Sequence, residues 1–446
     1  MRDDFRTIAD ALAADIAAGR LRAGARLPPQ RRFARDRRIA PSTAARVYQE
    51  LVRRGLVVGE VGRGTFVRGG APAPEPALAE PAGTAVDLEM NFPAVDEQAA
   101  LLAGALRPLL TPEVLAAAVR PVGVAGTPRA RDLVADLLTR DGWSPDPRHL
   151  LFAGNGRQAI AAAIAAQVPF GGRLGVEELT YPVVKALATR LGLSLVPIAM
   201  DDDGLLPDAL RAAHAATPLH AVYLQPILHN PVGVTMPPRR RAEIADALRD
   251  LALPAIEDGI YAFLRDDQSP LAALAPDLVL LVDSLSKRLA PGLSLGFLVP
   301  PGALVERVGT AVRSGGWAAT GFALAAGTAA IADGTVATVQ QGKRRDAAAR
   351  QAIVRDVLAD FDVRAGAGSY HCWWRLPEPW RAETFVAAAA RRGIAVTPAA
   401  AFAVGRSRSP HAVRLALASP PHTALRGALA TLAGLARGTP EDAGME

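Results

Sequence analysis

Phe5, Ile8, Leu12 and Ile16 recur three to four residues apart, a spacing that puts one apolar face on a helix near the start of the chain. Gly19 and the stretch LRAGARLPP end it in a loop. A second short helix is expected from about Gln30 to Arg37, with Phe33 and Ala34 turned inward. Ile39 to Pro41 reads as a turn, and Ser42 or Thr43 is placed to cap a third helix that buries Val47 and Leu51. LVVGEVGRGTFV then gives two short β-branched runs around Gly62-Arg63-Gly64, a hairpin pattern. Three helices and a hairpin are the elements of a winged helix-turn-helix over residues 1–68.

Residues 69–86, GGAPAPEPALAEPAGTAV, lose all periodicity and predict a semi-extended tether. From residue 87 to about 440, apolar strands alternate with alanine-rich helices, the pattern of an α/β body with a mainly parallel sheet. Ligands of such sheets collect at the C-terminal ends of the strands. The polar residues after each apolar run are therefore the candidates. HLLFA is followed by Gly154-Asn155-Gly156-Arg157-Gln158 and a helix start, where free N–H groups suit a phosphate. LGVE leads to Glu178 and Tyr181, AVYLQPIL to His229-Asn230-Pro231-Val232-Gly233, and LPAIE to Asp258-Gly259-Ile260-Tyr261. LVLLVD leads to Ser284-Leu285-Ser286-Lys287-Arg288, and AVRLALA carries Arg414. Each has an ordinary reading alone: a turn, a helix cap, a surface lysine.

Composition narrows the chemistry. The longest apolar runs are too short to span a bilayer, so no membrane association is expected. The N-terminus has no apolar leader and reads as cytoplasmic. The single cysteine, Cys372, rules out an intrachain disulfide framework and a cysteine-based metal site. Residues 1–68 hold 15 Arg against 7 Asp or Glu, whereas the whole chain carries only +6. A basic head on a near-neutral body points to a polyanion partner at one end. Of the 50 Lys and Arg residues only Lys185, Lys287 and Lys343 are lysines. Chemistry that needs a deprotonatable amine is confined to those three.

In the head, Arg31, Arg32, Arg35, Arg37 and Arg38 can neutralise phosphates. Ser42, Thr43 and Arg46 open the third helix, the part of a recognition helix that reaches base edges. Arg63, between two glycines, is placed at the wing tip to enter a minor groove. The alternative is a basic face on a protein–protein module. The stretches GRLRAGARLPPQRRFA, PSTAARVYQELVRRGLV and GRGTFV resemble the GntR family of bacterial regulators over residues 5–68. The resemblance implies a double-stranded DNA operator. Pro41 departs from the family, which often carries a polar or arginine side chain there.

In the body, the ordered set from Gly156 to Arg414 resembles the class I aminotransferases, fold type I of the pyridoxal-phosphate enzymes, over about residues 87–436. The resemblance implies a large domain with a smaller C-terminal α+β subdomain. It also implies pyridoxal 5′-phosphate bound as a Schiff base to Lys287, the catalytic residue of the family. Asp258 matches the partner of the pyridine nitrogen, Asn230 and Tyr261 the donors to the phenolic oxygen, and Tyr181 the stacking ring. Gly156, Arg157, Ser284 and Ser286 match the phosphate holders, and Arg414 the grip on a substrate carboxylate. Two positions depart: Ser294 stands where the family has a phosphate-pairing arginine, and Pro121 where it commonly has a tyrosine. Arg288 or Arg157 is a candidate replacement for the missing charge.

The two halves together resemble the MocR subfamily, which implies a homodimeric transcription regulator. Its body senses pyridoxal phosphate or an amino compound bound on it. Two other readings stay open: an active pyridoxal-phosphate-dependent aminotransferase with an accessory head, and a body that only dimerises.

Overall fold

A computed structural model describes residues 5–17, 20–21, 25–53, 56–60, 64–67, 86–265, 267–405 and 409–443. The chain forms two compact units, Met1–Glu75 and Pro76–Glu446. Most of the expected tether, residues 69–85, lies outside the described residues.

The head consists of α1 (Phe5–Ala17), α2 (Gln30–Asp36), α3 (Pro41–Arg53), β1 (Val57–Glu60) and β2 (Gly64–Val67). The two strands are antiparallel, with Val57 opposite Val67 and Glu60 opposite Gly64. Ile8, Leu12, Phe33, Val47 and Leu51 meet Val57 and Val67 in one core, and Phe5 and Ile16 pack at its edge. The Tyr48 ring meets Phe33 edge-on at 5.3 Å, and its hydroxyl donates to the Pro28 carbonyl. This contact ties α3 to both α2 and the loop before it. One local expectation is corrected: α3 begins at Pro41, so Ser42 and Thr43 lie inside its first turn and do not cap it. Proline suits that first position because its φ is already helical and its missing N–H would have had no partner.

The body carries two sheets. Seven strands form the larger one, in the order 151–153, 296–299, 279–284, 255–258, 221–224, 173–177, 194–198. Only Gly296–Val299 runs antiparallel to its neighbours. The strands Ala221–Leu224, Ala255–Asp258 and Val279–Ser284 are buried along their whole length, as expected where helices cover both faces. Their C-terminal ends lie side by side. The smaller sheet has the order 363–364, 371–375, 412–416, 394–398, 86–88. Its edge strand Val86–Leu88 pairs in parallel with Ile394–Val396, so residues just past the tether join the C-terminal subdomain. Trp374, Phe385 and Trp380 fill the core beneath this sheet through edge-on contacts. Among the described residues no single helix is long and apolar enough to cross a membrane.

Candidate functional site

On the head, Arg31, Arg32 and Arg35 are exposed along α2, and Ser42 and Arg46 are exposed at the start of α3; Thr43 is half-buried. The Arg32 Nε lies 3.6 Å from Asp36, and the Arg46 guanidinium lies over the Phe5 ring at 4.1 Å. α3 thus offers a polar N-terminal face whose arginine is braced by α1. Arg63 lies outside the described residues.

In the body, the strand ends of the large sheet, the segment after Val86–Leu88 and the strand Ala412–Ala416 enclose one cavity of about 460 Å³. Gly156, Arg157, Tyr181, Asn230, Asp258, Tyr261, Ser284, Ser286, Lys287 and Arg414 all line it. The Lys287 amine donates to the Asn91 carbonyl and lies 3.7 Å from the centre of the Phe92 ring. Its pKa is pushed well below the ordinary lysine value, first by burial and then by the positive charges of Arg414, Arg157 and Lys343. The shift favours the neutral amine, which is the nucleophilic form.

Asp258 ends its strand fully buried. One carboxylate oxygen accepts from the Tyr223 hydroxyl at 2.6 Å and Gln225 Nε2 at 2.8 Å; the other accepts from the Ile260 N–H at 3.0 Å. These neutral donors leave burial as the dominant influence, and its pKa is raised to about 6. Tyr261 accepts from Asn91 Nδ2 at 3.0 Å, and burial raises its pKa to about 12. Arg414 is buried too. Its Nη2 donates to the Glu89 carbonyl at 2.6 Å and to Thr397 Oγ1 at 2.9 Å. Its Nη1 reaches Asn230 Oδ1 only at 3.5 Å, and its Nε has no partner.

This donor set fits pyridoxal phosphate. A buried carboxylate without a cation suits a protonated ring nitrogen, and a depressed lysine suits an aldehyde. At the remaining end, the N-terminus of the helix Gly156–Gln167 meets the hydroxyls of Ser284 and Ser286. A Cβ on Gly156 would come within 2.9 Å of Ser284 Oγ, so glycine keeps that cradle open to a phosphate. The bound group supplies an electron sink; the chain supplies its anchor, its charge partners and a closed site.

Arg288 departs from the expected role. Its guanidinium is buried in an ion pair with Asp283 at 2.5 Å, with Gln340 Oε1 at 3.0 Å, and it does not line the cavity. Asp283 sits at the preceding strand end and claims the charge first. Ser294, in place of the phosphate arginine, bonds the Ser286 hydroxyl instead. Pro121 is exposed and lines no part of the cavity. Of the two arginines considered as replacements, only Arg157 lines the cavity.

Sequence reading missed Asn91, Phe92, Tyr223 and Gln225. Gln225 was hidden inside an apolar run, and Tyr223 passed for core because only its hydroxyl reaches the site. The buried Asp258 gives a testable consequence. A carboxyl whose folded pKa is raised stabilises the fold below its unfolded value near 3.8, and that contribution is lost as pH rises through about 6. The shift corresponds to up to about 3 kcal/mol. In urea unfolding of the cofactor-free protein, Asp258→Asn is expected to gain on the wild type between pH 4 and pH 7. A pH-independent difference would show that Asp258 is not desolvated.

Comparison with known proteins agrees with both units. Residues 5–67 match the family of bacterial regulatory proteins, gntR family, and residues 122–432 match aminotransferase class I and II. The chain is 30% identical over 424 residues to the HTH-type transcriptional regulator YdeF of Bacillus subtilis, covering 93% of this chain and 90% of that protein. It is 26% identical to the HTH-type pyridoxine biosynthesis transcriptional regulator PdxR of Corynebacterium glutamicum, covering 86% and 85%. Among solved structures, an archaeal alanine:glyoxylate aminotransferase superposes with a TM-score of 0.72 at 22% identity, over 79% of this chain and 90% of that one, which shows the shared fold. Pyridoxal phosphate is the cofactor of that fold class. With a GntR head and an aminotransferase body along one chain, the protein belongs to the MocR type of GntR-family transcription regulators.

Proposed function

We propose that the body is a ligand sensor that controls operator binding by the heads of a cytoplasmic homodimer. Pyridoxal phosphate is held covalently at Lys287, and an amino compound places its carboxylate on Arg414. The observation that carries the reading is the company in one cavity of three groups without an ion-pair partner among the described residues: a depressed amine, a buried carboxylate and a buried guanidinium. The likeness to the regulators named above supports the DNA half. The exposed Arg31 and Arg32 contact phosphates, and Ser42, Thr43 and Arg46 read bases, with Arg63 at the wing. A homodimer supplies two heads for a two-fold operator.

A ligand shifts DNA affinity only by its differential affinity for the two states. The test is retention of operator DNA by the full chain, with and without pyridoxal phosphate and amino acids, across a salt series. A steep salt dependence and a ligand-dependent affinity change of at least about 5-fold are expected. Equal affinity under every ligand condition would remove the sensor. The intact Lys287, Asp258 and Arg414 set favours a second reading, a working aminotransferase. Turnover of an amino acid with a keto-acid acceptor would establish it.

A further inference from the structure

We infer that the effector is a diamino acid: one carboxylate on Arg414 and a second, cationic nitrogen held by Glu89. The inference rests on the proposed sensing role of the same cavity.

Arg414 fixes the first half. The side chain is only 6% exposed and forms no ion pair with any described residue, while its Nε has no partner. Its Nη2 is already spent on Glu89 O and Thr397 Oγ1. The buried Nε–H remains to donate a charge-assisted hydrogen bond to one carboxylate. A second carboxylate finds no second site of this kind among the described lining residues. Lys287 is reserved for the cofactor, and Arg157 stands at the N-terminus of the helix Gly156–Gln167, on the phosphate side.

Glu89 fixes the other half. It lines the same cavity, next to Arg414 in space, since its own carbonyl is the acceptor of the Nη2 bond. Asp87 Oδ1 accepts the N–H groups of Glu89 and Met90 at 2.7 and 2.9 Å, a short side-chain turn that fixes the backbone at Glu89. The Glu89 carboxylate is half-buried and makes neither a hydrogen bond nor an ion pair with a described residue; Asp87 adds negative charge beside it, and the positive charge acting on it is that of Arg414. The cavity also has apolar lining from Met90, Phe92 and Phe402, the last beneath the Arg414 guanidinium. Once the effector's own carboxylate occupies Arg414, the Glu89 carboxylate loses that counter-charge and repels a dicarboxylic amino acid. It gives an ammonium group on a side chain a charge-assisted partner, and the apolar walls accommodate the methylenes between.

The experiment uses the full chain loaded with pyridoxal phosphate. Apparent Kd values are read from tryptophan fluorescence and from the thermal shift. 2,4-Diaminobutyrate, ornithine and lysine are each compared with the amino acid of equal carbon skeleton that lacks the terminal amine, and glutamate is included. At least one diamino acid is expected to bind about 10-fold or more tighter than its counterpart, with glutamate the weakest ligand. Glu89→Gln is expected to abolish that preference, and Glu89→Asp to keep part of it. Binding of the neutral amino acids as tightly as all three diamino acids overturns this inference and leaves the sensing role intact. An unchanged preference in Glu89→Gln does the same. A response to no amino acid at all overturns both.

Discussion

Lys287→Ala is expected to leave the protein unable to hold pyridoxal phosphate covalently and to weaken its retention at least about 100-fold, equivalent to about 2.7 kcal/mol. The expectation rests on how few amines the chain has. Lys185 lines no part of the cavity and donates to the Ala401 carbonyl at 2.8 Å. Lys343 is fully buried and donates to the carbonyls of Lys287 and Leu289 at 2.8 and 2.6 Å. Neither can take over without dismantling its own contacts, and none of the arginines in the cavity can lose its proton. Non-covalent holding remains through Asp258, Asn230, Tyr261 and the serine hydroxyls. It lacks the charge that a phosphate arginine at position 294 would add. The check is the mass of the protein after borohydride treatment with added pyridoxal phosphate, together with its visible absorbance. The wild type gains the mass of one cofactor and the variant gains none. Equal labelling of both would place the reactive amine elsewhere and take the central residue out of the proposed site.

The cofactor residues were legible because the chemistry is written in residue types at strand ends. A lysine in a lysine-poor chain stands out, and so does an aspartate at the end of the short run LPAIE. Asn230 and Tyr261 were placed by the resemblance to the class I aminotransferases. What the sequence hid depends on side-chain direction. Arg288 follows Lys287 and has the right charge, yet the helix turn from Leu285 to Arg288 aims it at Asp283, away from the cavity. Asn91 and Phe92 come from the chain entering the body, 196 residues before Lys287 in the case of the carbonyl that Lys287 meets. No local pattern connects them; the pairing of Val86–Leu88 with Ile394–Val396 and the bonds of Glu89 and Asn91 to Arg414 and Tyr261 bring that segment to the site. In the head, the pattern located all three helices, but Pro41 moved the start of α3 ahead of the polar residues expected to cap it.

Lys343 was one of three lysines singled out by composition, with no role that spacing could assign; the structure gives it a stability signature with a definite sign. Burial lowers its pKa from 10.5 to about 7, and Asp346 offsets this only in part. A depressed lysine contributes stability above its unfolded pKa, and that contribution is lost as pH falls through the folded value. The window therefore runs from about pH 10.5 down to about pH 7, and the full shift corresponds to about 5 kcal/mol. Methionine at this position has no such dependence. It leaves the Lys287 carbonyl without the Lys343 donor, at a cost of about 1–3 kcal/mol at every pH. The Leu289 carbonyl keeps Gln98 Nε2 at 3.1 Å. The two terms oppose each other across this window: the variant sheds the cost of burying the amine, in full below pH 7 and progressively less towards pH 10.5, above which only the lost hydrogen bond remains. Lys343→Met is therefore expected to equal or exceed the wild type in stability at pH 6.5. Its advantage should shrink by about 3 kcal/mol by pH 9, where the two terms roughly cancel. Urea unfolding of the cofactor-free chain followed by tryptophan fluorescence reads this directly, because all five tryptophans, from Trp143 to Trp380, lie in the body. A difference of the same size at both pH values would mean that Lys343 stays charged throughout and acts only as a hydrogen-bond donor to the turn that carries Lys287.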